Sequence, residues 1–514
     1  PIELTPDNPI VLQGVISLER RDKSPGGNAV PSSQEGEFIF SSLKKYVHIF
    51  GLAEPMVEPR SWEEQKALAR EAWLNTIWVP EAQGWRHCVG THWTPAPAPG
   101  MATLLLFDRF DTQIPEIRQT IQRRIDEAVK SALDKHGPGF FSTATNCHIM
   151  QGEFPFYGGY LHPALEQWLK QAENLIRNQR EDGSWGWEPG QDASRQNLGI
   201  PGQTTNGVCA GSAYFLLKLG RILGDEALIR AGLKGLDAAE RDRVPRGAQG
   251  WECPLHAPDI LASAYAVRAN VEAFQATGDE TYLSRARYWA WSGLPFIYLW
   301  NIDSIPSMRY NTIPIFGATF YTHSWFGRPV VWCGLVYAYA LQELARFDES
   351  FDWETLARGV TVSGEWQQYE MEHPSKGCYP DSFDLRLNRR NPADINPEDI
   401  MVNALTLRDL DPAIKTVHVG EGSDRLTISS GANIQAISGA QGLTLRLSFF
   451  KGESVYTLIS PIVSVSGVHV GENRLPLSDN LEGIEQGYQL VPERKWLIVK
   501  TKFEEPEIEV GISR

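Results

Sequence analysis

The spacing of polar and apolar positions changes character twice along the chain. Residues 1–60 carry short β-type runs, "PIVLQGVISL" and "EFIFSSL", around the loop-forming stretch "KSPGGNAVPSS". From about residue 61 to about residue 410 the apolar positions recur at helical spacing. After that, "RLTISSGANIQAISGAQGLTLRLSFFKGESVYTLISPIVSVSGVHV" alternates between polar and apolar positions, interrupted by glycine turns. The pattern predicts an N-terminal β segment over 1–60, a helical domain over 61–410 and a β-sandwich-like domain over 411–514. The first segment is expected to add strands to the last domain, which either buttresses the helices or forms a separate binding module.

Two classes of helix alternate through the middle of the chain. One is amphipathic with a charged face, as in "SWEEQKALAREAWLN", "PALEQWLKQAENLIRNQ" and "EALIRAGLKGLDAAER". The other is apolar almost all round and rich in small residues, as in "GMATLLLFDRF", "GVCAGSAYFLLKLG" and "VVWCGLVYAYALQEL". Shorter members of the second class are expected at 146–160 and 397–407. A helix that is apolar on every side must be buried on every side. Six exposed helices alternating with six buried ones predict a mainly α fold, a double ring with the buried set inside.

The links between helices are unequal. Buried-to-exposed links are short turns such as "LGDE" and "TGDE", where a glycine ends one helix and Asp279 caps the next. Exposed-to-buried links are long, roughly 78–98, 137–146, 181–205, 241–256, 297–328 and 374–396. In a ring of antiparallel hairpins the long links all emerge at one end, so they should surround one cleft.

Those loops concentrate aromatic and hydrogen-bonding residues. The first holds Trp85, His87, His92 and Trp93, and the second leads into Asn146, His148, Glu153 and Tyr157. The third, "NQREDGSWGWEP", carries Trp185, Trp187 and Glu188; the fourth carries Trp251, Glu252, His256 and Asp259. The fifth brings Tyr310, Tyr321, His323, Trp325 and Arg328, and the last brings Tyr379 and Asp381. A sugar ring offers an apolar C–H face to an indole and a rim of hydroxyls to carboxylates, amides and imidazoles. An oligo- or polysaccharide is therefore the expected partner. Trp168, Trp289 and Trp291 lie within helices and are expected in the core, and Asp259 precedes a helix as its N-cap.

Composition narrows the field. A net charge of −15 lacks the basic stripe of a nucleic-acid binder. No apolar run is long enough for a membrane helix. The six cysteines form no CxxC pair, no metal-ligand cluster stands out, and no nucleotide-binding glycine loop is present, so neither a catalytic metal nor a cofactor is expected, and a structural Ca²⁺ on a carboxylate loop stays open. The chain begins "PIELTPDNP", with neither an initiator methionine nor a hydrophobic signal core, and so looks trimmed.

"WLKQAENLIRNQREDGSWGW", the alternating helices and "CYPDSF" together resemble the six-hairpin (α/α)6-toroid enzymes of carbohydrate metabolism over about residues 61–410. The resemblance implies a glycoside hydrolase or polysaccharide lyase acting in a cleft at one end of the ring. "QREDGSWG" also resembles the QW repeat of triterpene cyclases, in which Gln and Trp tie helix ends together, so Trp185 has a structural alternative. The acidic DxDD motif of those cyclases is absent.

Hydrolysis requires one protonated and one ionised carboxyl group. Glu252, beside the apolar Trp251, is the expected acid and Asp381 the expected base, with Glu153 in reserve. Elimination from a uronic-acid glycan would instead use His148 or Tyr321 as base, with Asn146, His323 or Arg328 neutralising the substrate carboxylate. A binding protein that has lost its acids is the third reading. Hydrolysis is the leading expectation.

Overall fold

The structure, a computed structural model, describes residues 32–191, 195–300, 304–316, 328–385, 387–439 and 442–513. Its helices are α1 (Ser32–Phe50), α2 (Trp62–Glu71), α3 (Pro99–Asp111), α4 (Pro115–His136), α5 (Pro155–Gly158), α6 (Leu161–Asn178) and α7 (Asn206–Leu223). They continue as α8 (Glu226–Ala239), α9 (Ile260–Thr277), α10 (Glu280–Gly293), α11 (Val331–Ala345), α12 (Trp353–Gln367) and α13 (Glu398–Thr406). The LGDE and TGDE turns behave as their chemistry requires. Gly224 and Gly278 end α7 and α9 in the left-handed region, at φ 69° and 72°, where a Cβ would be strained. Asp225 and Asp279 then accept from the backbone N–H groups of Ala227 and Thr281, each at 2.8 Å.

Burial sorts most of the helices as the sequence predicts, with the exception of α12, expected among the exposed set, which buries most of its residues. α9 and α11 bury side chains all round, whereas α4, α6 and α8 bury one face. α7 packs on α8 and α9, α9 on α10 and α11, and α11 on α12 and α13. α13 returns to α3, while α5 and α6 bridge α3 to α7, so the inner helices close into a ring. The fold is a helical double ring with a C-terminal all-β region. The second inner member is a single turn, α5, set between left-handed Gly152 and Gly159.

The N-terminal expectation needs correction. "EFIFSSL" lies inside α1 rather than in a strand. Phe40 and Val47, one heptad apart, are both buried, and Phe40 meets Tyr288 of α10 edge-on at 5.0 Å. Helical spacing therefore outweighed the local β-type composition, and α1 packs on the outside of the helical ring. "PIVLQGVISL" lies outside the described residues.

Strands β1 (Trp78–Val79), β2 (Gly84–Trp85), β3 (Cys88–Val89), β4 (Tyr379–Asp384) and β5 (Arg389–Ile395) belong to the ring's long loops. β3 and β4 both pair with β5, so the first and last long loops form one small sheet. The C-terminal strands are β6 (Lys415–Val419), β7 (Leu426–Ser430), β8 (Asn433–Gly439), β9 (Gly442–Ser448) and β10 (Ser454–Ser460). They continue as β11 (Gly467–Val470), β12 (Asn473–Arg474), β13 (Gly487–Val491), β14 (Trp496–Lys502) and β15 (Glu507–Ser513). Two five-stranded antiparallel sheets result, in the orders β13-β14-β10-β7-β6 and β12-β11-β15-β9-β8.

These sheets cover the short-turn end of the ring. Ser429 Oγ donates to the carbonyl of Ile222 at the end of α7 (2.9 Å). Phe110 at the end of α3 packs on Phe449 and Phe450, and Arg109 and Arg118 both pair with Glu453. The opposite end is left to the long loops.

Candidate functional site

The small sheet of β3, β4 and β5 assembles the floor of the long-loop end. β5 runs directly into Asn396 and the first turn of α13. Asn396 Nδ2 donates to the carbonyls of His87 (3.0 Å) and Asn146 (3.1 Å), and its Oδ1 accepts from the Glu398 N–H (2.9 Å). One amide thus ties the first, second and last loops together. Glu398 in turn accepts from the backbone N–H groups of His148 (3.0 Å), Ile149 (3.1 Å) and Met150 (2.8 Å).

Asp399 lies beside Glu398. Its Oδ2 accepts from the Tyr379 hydroxyl at 2.5 Å and lies 2.8 Å from His148 Nδ1. The His148 ring stacks on Trp332 of α11, with centroids 4.6 Å apart, and meets His87 edge-on at 5.0 Å. Beyond it, His87 stacks on the exposed indole of Trp93 at 5.4 Å. Burial, with the charge of Asp399 adding to it, pushes Glu398 well above the usual carboxylate range, and burial lifts Asp399 to about 6 against the hydrogen bonds from Glu398 and Tyr379. Burial lowers His148, against the pull of Glu398 and Asp381, and lowers His87 to about 3. One donor atom each from His148, Glu398 and Asp399 lies within 4.8 Å of the others. Three backbone N–H groups occupy both Glu398 oxygens, and Tyr379 and the imidazole meet at Asp399 Oδ2, while the buried Asp399 Oδ1 has no hydrogen-bond partner among the described residues.

Glu252 and Asp381 belong to the same end. Burial raises the Glu252 carboxyl to about 8, and the charge of Asp381 adds to the rise. Hydrogen bonds from Gln249 and from Trp251 pull the other way without cancelling it. Asp381 also acts electrostatically on His87, His148 and Cys333, so its carboxylate lies within reach of both clusters. The two carboxyl groups singled out in sequence are thus electrostatic neighbours.

Many of the other expected wall residues are structural. Trp85 is fully buried and donates to the Trp73 carbonyl (2.8 Å). Trp185 donates to Leu175 O (2.9 Å) while Gln179 Nε2 bonds Gly183 O and Ala231 O, which makes this pair the clamp on helix ends that the QW likeness implied. Trp187 donates to Gly250 O (3.0 Å) and packs on Leu198 and Leu255. Tyr310 is fully buried, with its hydroxyl on the Ala53 carbonyl. Tyr379 is buried as well, but its hydroxyl serves the cluster.

Asn146 adopts φ 63° and spends its amide on Trp85 O (2.8 Å), where it shapes the loop. Glu153, the reserve acid, is buried and paired with Lys218, so its charge is already neutralised. Glu188 and His92 are exposed, and His256 bonds Gln203 on the surface. Trp251 and Arg328 are partly buried. Tyr321, His323 and Trp325 lie outside the described residues. Asp259 caps α9 as expected, accepting from Ala262 N–H (2.7 Å), and Trp168, Trp289 and Trp291 are core.

The residues missed in sequence are Asn396, Glu398, Asp399 and Trp332. Helical spacing ends the last loop at 396 and assigns "PEDIMVNALT" to an inner helix, which hides the two acids in its first turn. Trp332 sat in a run that is otherwise pure core.

No family model matches the chain, and neither does any curated protein. Solved structures match over part of the chain. The unsaturated glucuronyl hydrolase of Bacillus sp. GL1 is 14% identical, covering 68% of this chain and 97% of that one, with a TM-score of 0.46. A family 76 α-mannanase of Bacteroides thetaiotaomicron is 10% identical, covering 68% and 96%, with a TM-score of 0.43. At that identity no side chain is carried over from either enzyme. Among the described residues, no helix is long and apolar enough to cross a membrane.

Proposed function

We propose that the protein is a carbohydrate-active enzyme that hydrolyses a glycosidic bond at the long-loop end of its ring. The observation that carries this reading is Glu252, a carboxyl raised to about 8 with Asp381 within its electrostatic reach. At neutral pH Glu252 keeps its proton, as a general acid must. It gives that proton to the departing glycosidic oxygen as the C–O bond breaks. Asp381 takes a proton from the attacking water, whose oxygen bonds to the anomeric carbon. Exposed Trp93, backed by His87, offers a flat face for a sugar ring.

Elimination is the second reading, favoured by His148 beside Asp399. There the imidazole would take the proton next to a uronic carboxylate, a C=C bond would form, and Glu252 would protonate the leaving oxygen. A screen of neutral and uronic-acid glycans separates the two. New reducing ends without ultraviolet absorbance mean hydrolysis, and both signals together mean elimination. Glycan binding without cleavage, unchanged in E252Q, would replace both with a binding protein.

A further inference from the structure

The buried groups behind His148 have a role that the hydrolytic reading does not use. Imidazole carries its two nitrogens on opposite edges of the ring, and the partner of one decides which is protonated. Here Nδ1 lies 2.8 Å from Asp399 Oδ2, and that oxygen also accepts the Tyr379 hydroxyl at 2.5 Å. An oxygen already serving as acceptor for Tyr379 calls for N–H, not a lone pair, from the imidazole. Trp332 stacked at 4.6 Å fixes the ring plane, and three backbone N–H bonds to Glu398 fix the loop that carries it. Asp399 is buried, while a quarter of the His148 side chain (24%) is exposed.

We propose that Asp399 is a positioning residue that holds His148 as the neutral Nδ1–H tautomer, with Nε2 turned to the cleft as a proton acceptor for the substrate. Glu398 supports this by clamping residues 148–150, and Tyr379 keeps Asp399 Oδ2 an acceptor. The charged and titratable groups facing His148 are Glu398 and Asp399 from α13, Tyr379 and Asp381 from β4, and His87 from the first loop. Burial keeps the imidazole neutral despite the carboxylates around it. In hydrolysis Nε2 accepts a hydrogen bond from a sugar hydroxyl, and in elimination it accepts the abstracted proton. The role rests on the long-loop end being the site of glycan chemistry, whereas the tautomer does not.

The test is ring 15N NMR on full-length protein labelled at histidine, with the His148 signal assigned by its loss in H148Q. Near neutral pH the wild type should show a protonated Nδ1 and an unprotonated Nε2. Y379F should keep that tautomer, and D399A should shift the proton to Nε2. On a glycan the wild type cleaves, D399A should lower kcat/KM by about 10²–10⁴-fold where the reaction is an elimination and by roughly 2–10-fold where it is a hydrolysis. A wild-type Nε2–H tautomer or an imidazolium at neutral pH overturns the proposal, even if D399A fails to fold. So does a switched tautomer with an unchanged rate. A wild type that cleaves no glycan while showing the Nδ1–H tautomer counts against the enzymatic reading and leaves the assigned geometry standing.

Discussion

Asp381, on β4 of the last long loop, sits within electrostatic reach of Glu252 in the fourth, and its charge adds to burial in lifting the Glu252 carboxyl to about 8. The two residues lie far apart in the chain and meet because the ring brings its long loops to one end. The relationship has a sign that can be measured. If Glu252 is the acid, the rate falls as pH rises through about 8, where the carboxyl loses its proton. In D381N the repulsion is gone, so the alkaline limb should move to lower pH, read from kcat/KM against pH. E252Q should lower kcat by about 10²–10⁴-fold. An alkaline limb unmoved by D381N would mean that the two groups are not coupled.

Glu252 also leaves a mark on stability. Its folded-state value lies above the unfolded one of about 4.5. Its contribution is therefore complete below about pH 4.5 and is lost as pH rises through about 8. Urea unfolding across that window should show a shallower decline in E252Q than in the wild type.

Glu153 and Lys218 form a buried ion pair between the approach to α5 and α7. Removing only the acid strands a buried ammonium group, which costs about 3–5 kcal/mol. E153A should lower stability by that order, and the double variant E153A/K218M should recover much of it in denaturant unfolding. A folded E153A with normal stability and no activity would return Glu153 to the catalytic set.

Trp185 should behave as a clamp. W185F loses the bond to Leu175 O, worth about 1 kcal/mol, and W185A also opens a cavity, at about 3–5 kcal/mol in total. Thermal unfolding reads both, and glycan affinity per folded molecule should not change.

Trp93 is the opposite case, 61% exposed and stacked on His87. W93A should leave stability within about 0.5 kcal/mol of wild type. It should weaken glycan binding by about 0.5–1.5 kcal/mol, roughly 2–10-fold in KM. An unchanged KM would remove Trp93 from the cleft.

Glu252, Asp381 and His148 were legible as candidates because carboxyl and imidazole groups recur in the long loops at equivalent points of the repeat. The loop tryptophans misled for a physical reason. An indole buries a large surface and needs one acceptor for its N–H, and a carbonyl at a helix end supplies it as readily as a ligand does. Trp85 and Trp185 found such carbonyls, Trp187 found one in a loop turn at Gly250, and only burial separates them from Trp93. Glu398 and Asp399 escaped notice because helical spacing assigns "PEDIMVNALT" to the core, without showing that its first turn meets the loop holding His148.

The alternation of amphipathic and all-apolar helices, the glycine and aspartate turns and the switch to period two near residue 411 are local properties, set by which side chains must leave water and which turns the backbone can make. They determined the double ring and the β-region after it. Tertiary structure alone decided which loop residues share a site, because a carboxyl's proton and an imidazole's tautomer depend on partners that the chain supplies from hundreds of residues away. It also decided that 32–50 would be a helix, since a stretch of mixed propensity takes the form whose apolar face its neighbours can bury.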